Sequence, residues 1–571
     1  MQKMAEEVVL SASDLSAFAE CAHRTWLDRL HLDHPMEKAE DDDQAKLIQD
    51  KGYEHEERFF ATLKEQVGKC VEIGTDWPLD RKLDATRAAI LDGAEVIYQA
   101  TLKRGNLMGH ADFLVRSGRG SRGQWLYEVA DTKLARSTKA KFLLQLCFYS
   151  DLLSDVTGEI PHHMHVELGN GKRESFRVGD YFHYYRSLLA RLNDYLAAYP
   201  DASEVPYPAP CDHCSLCPWR ERCAAKRIAD DHLSAVAGIT RQQIARFEAA
   251  DICTVAALGA LPSTRAVPKM AAETLGKLRE QARLQVLERE TGQQIVELLP
   301  LEAGMLRGFA RLPKPDEGDL FFDMEGDPME DGGLEYLFGL YYFDAGTAMF
   351  RPFWAHSREE ERRAFIEFID FVMARRAAYP GMHVYHYAHY ENTAIKRLMT
   401  SHGVREAAVD QLLREGRLVD LYKVVREGLR VSKDSYSIKA IEAFYSEKRA
   451  SDVKKATDSI VVYEKWRESK DPELLESIRQ YNEEDCRSTW QLRDWLLSLR
   501  PGDLPWFAAI AAESEQPARA KSDKTVEHEL RLERFHERLV ANPENRDLDP
   551  ELANLVDSLL DFYRRAAKPQ W

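Results

Sequence analysis

The chain has 571 residues, far more than one hydrophobic core usually holds, so three or four units are expected. Its net charge of −17 argues against a protein that coats nucleic acid by charge alone, although clustered acids can hold metal ions that face a phosphate. It contains no run of about 18 apolar residues to cross a membrane and no basic-then-apolar leader in MQKMAEEVVLSASDLSAF, so a cytoplasmic protein without membrane contact is expected.

Ser11-Ala-Ser13-Asp14 reads as a capped helix start, and Cys21 follows on that helix. Glu40 to Asp43 reads as a solvated acidic loop. A helix from Leu47 to Val67 carries His55. GHADFLVR reads as a strand that delivers Asp112, and Trp125 to Lys133 as another. Side chains alternate along a strand, so Asp131 and Lys133 share a face. Glu128 points the other way and reads as a half-exposed strand acid. KFLLQLCFYSDLL is apolar at helical spacing and puts Gln145 and Tyr149 on one face. Two carboxylates and a lysine at a strand end can hold a divalent metal, acidify a bound water and set a cation beside a scissile phosphate. Arg116, Arg119, Arg122, Arg136, Lys139 and Lys141 are expected around this site, either along a DNA path or as solvated surface.

Asp112, Asp131-Thr-Lys133, Gln145-Leu-Cys-Phe-Tyr149 and Gly52-Tyr-Glu-His55 resemble, in that order, the motifs of the PD-(D/E)xK nucleases. The likeness is to the RecB-like branch, which includes the nuclease domains of RecB and AddB and nucleases of CRISPR adaptation. The resemblance implies Mg²⁺ or Mn²⁺ on His55, Asp112 and Asp131. It implies Lys133 at the pentavalent phosphate, with Gln145 and Tyr149 in support.

After a helix from Tyr181 to Tyr199 and the Pro-rich VPYPAP comes Cys211-Asp-His-Cys214-Ser-Leu-Cys217-Pro-Trp-Arg-Glu-Arg-Cys223. Four of the nine cysteines fall within thirteen residues, which in a cytosolic protein reads as a metal or cluster site. The spacing is too tight for a common zinc finger, and an iron–sulfur cluster needs four thiolates. RecB-like nucleases with a 4Fe-4S cluster take one cysteine before the nuclease core and three after it. That resemblance implies Cys21, Cys214, Cys217 and Cys223. Cys211 is surplus and could replace one of them; zinc and free thiols remain alternatives. Residues 230–300 read as wholly helical, through Leu233 to Ile239, Ile252 to Leu258 and Ala271 to Thr291. They resemble helix–hairpin–helix modules, which present amides to phosphates, and read equally as a helical spacer.

A second constellation starts at Asp319-Leu-Phe-Phe-Asp323-Met-Glu325, a strand with Asp323 and Glu325 on one face. Tyr336 to Phe343 reads as its hairpin partner. Met382 to His389 reads as a strand leading into Tyr390-Glu391 and a helix from Ala394 to Leu398. Leu418-Val-Asp420 reads as the opening of a helical stretch, with Asp420 an N-cap or a substitute ligand. Tyr481 and Asp485 lie one turn apart on a helix. The set resembles the DEDD exonucleases of RNase H-like fold, of DnaQ type and closest to the YprB-like group. The resemblance implies two metal ions on Asp323, Glu325, Glu391 and Asp485, an attacking water oriented by Tyr481, and 3′→5′ polarity. Glu391 stands where that pattern normally has Asp.

The charged stretch Glu513 to Lys524 precedes further helices, and the ending LLDFYRRAAKPQW resembles the junction to a helicase in longer relatives. No GxxxxGK[ST] phosphate loop occurs. The expected architecture is α/β and multidomain. It has a RecB-like, restriction-endonuclease-like nuclease domain (1–228), a helical linker (229–304), an RNase H-like exonuclease domain (305–500) and a helical tail (501–571). The function this implies is a metal-dependent DNA nuclease with two sites, acting on single-stranded ends in repair, recombination or defence. The alternatives are a nucleic-acid-binding scaffold for a helicase partner and an RNA-processing exonuclease.

Overall fold

The computed structural model describes residues 1–571 except 5–6, 41, 136, 200–204, 302–304, 331, 447–455, 508–522, 542–548 and 561–571. Arg136, most of the charged stretch from Glu513, and the last eleven residues therefore lie outside the described residues. The chain divides into two compact units. One is Met1–Ala235 with Ile239–Thr254 and Pro328–Gly333; the other is Val236–Gly238 with Val255–Asp327 and Leu334–Trp571. Among the described residues, no helix is long and apolar enough to cross a membrane.

The first unit opens with a hairpin of β1 (Gln2–Met4) and β2 (Glu7–Val9) and continues through α1 (Ala12–Glu20), α2 (Ala22–Asp33) and α3 (Asp43–Gln66). The start of α1 is a capping box: Ser11 N–H donates to the Asp14 carboxylate at 2.8 Å, and Asp14 N–H donates to Ser11 Oγ. Next come β3 (Cys70–Glu72), α4 (Leu79–Leu91), β4 (Val96–Arg104), β5 (Leu107–Arg119), β6 (Trp125–Lys133), α5 (Ala140–Thr157), β7 (His163–Leu168), β8 (Arg173–Arg177), α6 (Val178–Ala197), α7 (Arg220–Ala229) and α8 (Arg241–Glu248). The sheet order is β3-β4-β5-β6-β7-β8. β4, β5 and β6 form an antiparallel meander, and β6 and β7 run parallel across α5. A parallel pair needs such a crossover, and its helix must bury a face on the sheet. Leu146, Cys147 and Phe148 of α5 are accordingly fully buried, in one core with Leu114, Val129 and Tyr185.

The second unit contains α9 (Val255–Gly259), α10 (Ala272–Thr291), β9 (Val296–Leu298), β10 (Leu320–Asp327), β11 (Leu334–Asp344), β12 (Thr347–Trp354), α11 (Arg358–Ala378), β13 (Val384–His386), α12 (Tyr390–His402), α13 (Glu406–Arg414), β14 (Leu418–Asp420), α14 (Leu421–Gly428), β15 (Leu429–Val431), α15 (Ile438–Ile441), α16 (Ala456–Ser469) and α17 (Pro472–Leu499). Its main sheet has the order β12-β11-β10-β13-β14. β10, β11 and β12 are antiparallel neighbours, while β13 and β14 run parallel to β10. Leu320, Phe322 and Met324 face the core under α11 and α12; Phe321 faces the core that holds Leu492 and Leu496 of α17. Alternation then puts Asp323 and Glu325 on the α17 side.

Three expectations need correction. Residues 230–300 are not wholly helical, because Val296–Leu298 pairs with β15. Leu418–Asp420 is the edge strand of the main sheet rather than the opening of a helix. The strand expected over 382–389 is only Val384–His386. Asp420 shortens it by accepting from Ala388 N–H at 3.0 Å, in a turn where Ala388 has φ +78°, and α12 then begins at Tyr390.

One buried ion pair ties strand to helix. Arg493 Nη1 of α17 donates to Asp319 Oδ2 at 2.6 Å, while Asp319 Oδ1 accepts from His383 N–H at 2.9 Å. The guanidinium carbon lies 4.8 Å from the centre of the Phe321 ring and 5.2 Å from that of Tyr385. Replacing Arg493 by Met leaves Asp319 buried and unpaired. Urea unfolding of Arg493→Met should show a loss of about 3–5 kcal/mol.

Candidate active site

β10 supplies Asp323 and Glu325, and α17 supplies Asp485; one carboxylate oxygen from each lies within 4.8 Å of the others. Among the described residues, this is the one group of three such donors at ligand spacing. Two of the three acids are held by neighbouring side chains. Asn482 Nδ2 donates to Asp323 Oδ2 at 2.8 Å. Ser459 Oγ donates to Glu325 Oε2 at 2.6 Å and accepts from Tyr336 OH at 3.1 Å. Gly339 of β11 makes this approach possible, because a Cβ there would collide with the Asn482 side chain.

Burial, then the charges of Asp485, Glu325 and Glu391, drive Asp323 well above the usual carboxylate range. Burial and then Asp485 push Glu325 up to about 8, against the hydrogen bond from Ser459. Without a cation the cluster therefore keeps protons near neutral pH. A divalent ion would replace them, and the donor set, all carboxylate oxygen, suits Mg²⁺ or Mn²⁺.

Glu391 occupies the first turn of α12, is 5% exposed, and stands outside the three-donor group. Its Oε2 lies 3.4 Å from His386 Nδ1 and makes no hydrogen bond. Tyr481 lies on α17 one turn before Asp485 and is buried. Lys439 Nζ, absent from the sequence-based site, reaches the Tyr481 hydroxyl at 3.4 Å and sits 5.4 Å from the ring centre. Its only sequence signal is the Ser-capped SYSIKAIEAFY segment, where Ser437 caps α15. Asp420 caps α14, accepting from Tyr422 N–H at 3.0 Å.

In the first unit, Asp112 and Asp131 come from adjacent strands, and Lys133 forms an ion pair with Asp131. Asp112 Oδ2 accepts from Thr132 N–H at 3.3 Å. Gln145 Nε2 donates to Tyr149 OH at 3.2 Å and reaches Asp131 Oδ1 at 3.5 Å, so these five side chains do meet. His55 Nε2 lies 3.5 Å from the carbonyl oxygen of Glu167 on β7. His55, Asp112 and Asp131 form no three-donor group at ligand spacing among the described residues. Burial, then the Asp131 charge, push Asp112 well above the carboxylate range. Burial opposes the charge on Lys133, but Asp131, Asp112 and Glu56 outweigh it and hold its pKa above the ordinary value.

Glu56 is a second residue the sequence reading missed, although it directly follows His55. Its carboxylate accepts from Gln99 Nε2, and Gln99 sits in the left-handed region at φ +56° within β4, across the ladder from Asp112. A non-glycine residue in that region mid-strand is strained, and such strain concentrates at functional sites. Arg116, Arg119 and Arg122 do not surround these acids. They cluster at the other end of β6, where Arg116 and Arg119 stack on Trp125 and bind the carbonyls of Gly93 and Gly123. Glu128 is held by His165 and His163 on β7, at 3.0 and 3.2 Å.

Cys21, Cys211, Cys214, Cys217 and Cys223 line one pocket with Arg24, Arg220 and Arg227. Cys21 terminates α1 and caps α2, and Trp219 Nε1 donates to Asp28 Oδ1 of α2 at 2.9 Å, which brings the two ends of the segment together. The sulfurs of Cys211 and Cys214 are 3.6 Å apart. Burial pushes the thiols of Cys211 and Cys223 up to about 11.

Residues 320–497 match a family model of the RNase_H superfamily. The C-terminal half of the chain carries an RNase H-like domain. The match covers β10 to α17 and therefore all four acids of the second constellation. No curated protein matches the chain.

The carboxyl groups of Asp323 and Glu325 titrate above their ordinary values, so in metal-free protein they favour the folded state only while protonated. That stability is fully present below the ordinary carboxylate pKa and is lost as pH rises through the raised value, about 8 for Glu325, at most about 1.4 kcal/mol per pH unit for each group. Melting in EDTA should therefore occur at lower temperature at about pH 8.5 than at about pH 6. Mn²⁺ should raise Tm more at the higher pH, and Glu325→Gln should shrink both effects.

Proposed function

We propose that the chain is a metal-dependent nuclease whose principal site is the Asp323–Glu325–Asp485 cluster. The observation that carries this is the convergence of three carboxylate donors on the inner strand and last helix of an RNase H-like domain. Bound Mg²⁺ or Mn²⁺ would supply Lewis acidity at the phosphoryl oxygen and lower the pKa of the attacking water. Asp323, Glu325 and Asp485 would hold the ion, with Glu391 beside them for a second. Tyr481, with the Lys439 ammonium at its hydroxyl, would orient the attacking water. Single-stranded DNA ends and 3′→5′ polarity are read from the DnaQ-like, YprB-like resemblance.

In this reading the first unit is a RecB-like nuclease domain. What supports it is an antiparallel meander followed by a helical crossover to a parallel strand, with Asp112, Asp131 and Lys133 at adjacent positions. Lys133 would leave Asp131 for the phosphate when a metal takes up the carboxylates, with His55 completing the ligands. The cysteine pocket would hold a 4Fe-4S cluster on Cys21, Cys214, Cys217 and Cys223. Ligand sulfurs of a tetrahedral zinc site lie ~3.8 Å from one another. The Cys211 and Cys214 sulfurs, 3.6 Å apart, have that spacing, while among the described residues no three cysteine sulfurs lie within 4.8 Å of one another, so metal analysis decides between the two groups. Anaerobically purified protein should absorb broadly in the visible and contain about four irons per chain, and Cys217→Ser should lose both. About one zinc and no colour would overturn the assignment.

The scaffold reading, in which the chain grips DNA for a helicase partner, draws on Glu391 standing outside the donor group. Single-stranded DNA and RNA labelled at either end, incubated with Mn²⁺ or Mg²⁺, separate the readings. Asp323→Ala should slow loss of the 3′ label by on the order of a hundredfold or more. Lys133→Ala should remove a different set of products. Binding without any cutting by the wild type would favour the scaffold, and cutting of RNA alone would favour RNA processing.

A further inference from the structure

At the carboxyl ends of β13 and β14 the second unit has a cavity of about 310 Å³. Arg311, His386, His389, Lys396, Asp420 and Lys423 line it. Arg311 spends two of its nitrogens on Glu427, at 2.6 and 3.0 Å. Among the described residues Lys396 and Lys423 have no anionic partner. Asp420 directs one oxygen at the amides of Ala388 and Tyr422. The wall is thus cationic, with one carboxylate partly committed to the backbone.

Two further observations point to a ligand. α12, thirteen residues long, begins at this wall, and its N-cap His389 makes no side-chain cap bond, so its first-turn amides lack the usual side-chain acceptor. His386 is 1% exposed, lines the cavity, and has no hydrogen-bond partner at either ring nitrogen. A buried imidazole left in that state calls for an acceptor or donor from outside the chain. His386 also stands 3.4 Å from Glu391, whose charge acts on Asp323, so one imidazole separates the cavity from the acids beside the cluster.

We propose that this cavity is a phosphate subsite that takes an internucleotide phosphate, with its sugar, of the strand whose end lies in the carboxylate cluster. The proposal rests on the nuclease reading. Lys396 and Lys423 supply the charge, the α12 amides and His386 the hydrogen bonds. A subsite one or more nucleotides from the reacting bond makes affinity depend on strand length, and a contact made equally in the ground and transition states sets KM rather than kcat.

The test uses the full-length chain and the double variant Lys396→Ala/Lys423→Ala, with a Lys→Arg pair as rescue. Both lysines reach the surface, and melting curves check that the variants fold. Anisotropy of a 5′-labelled thymidine oligonucleotide in EDTA should show about tenfold weaker binding and a salt slope reduced by about 1–2. The arginine pair should restore both. With Mn²⁺, the KM for the oligonucleotide should rise at least about fivefold more than that for the p-nitrophenyl ester of thymidine 5′-monophosphate, which has no second phosphate. Competition by thymidine 5′-monophosphate or inorganic phosphate tells a product or free-ion site from a strand site. If either competes at the cavity as strongly as the oligonucleotide, the strand assignment falls. Affinity and slope within about twofold of wild type overturn the subsite, whatever the activity. If the wild type cuts nothing while the double variant still loses affinity, the subsite stands and the nuclease reading falls.

Discussion

Carboxylates crowded away from water repel one another, and the second unit is arranged around keeping three of them together. Asp323 and Glu325 are two residues apart on a central strand, so the pleat alone puts them on one face. Asp485 reaches them only because α17 lies across that face, which requires Gly339 to leave room for Asn482 and requires Arg493 to dock on Asp319. Folding the metal-free chain therefore keeps protons on acids that would lose them in water. That energetic debt is the source of the site's appetite for cations: whatever ion binds is favoured by the repulsion it relieves.

The first unit meets the same problem differently. Asp112, half-buried, and Asp131, fully buried, also lie side by side, but Lys133, two positions along from Asp131 on the same strand, neutralises Asp131 from within. An internal cation stabilises the pair of acids without any ion from outside the chain. The two carboxylate groups thus differ in one respect: both push an aspartic carboxyl upward, Asp323 in the second unit and Asp112 in the first, but only the first also carries an ammonium against its other acid.

Features set by local periodicity were legible in the sequence. The DxE strand, the YxxxD helix turn, the Asp131–Lys133 face and the Gln145–Tyr149 face all depend on residues two or four apart, and the structure keeps each as expected. Features set by long-range packing were not. β14 has three residues, too short for a pattern, and exists because β13 offers a free edge beside it. Lys439 meets Tyr481 only through the path of the chain between β15 and α17. Glu56 was visible but had no motif to distinguish it from the other acids of α3. The arginines of the β5–β6 hairpin were near the acids in sequence and far along the strands in space, because an antiparallel turn reverses direction.

Glu391 gathers these constraints in one place. The turn after β13 is held tight by Asp420, which brings the first turn of α12 up to the sheet and leaves position 391 at the positive end of a helix dipole. The added methylene of Glu reaches toward His386 as well as toward Asp323, and the three-donor group closes without it. On the proposed nuclease reading, a first ion would be held by Asp323, Glu325 and Asp485 alone, and a second would depend on whether Glu391 turns from the imidazole to the cluster.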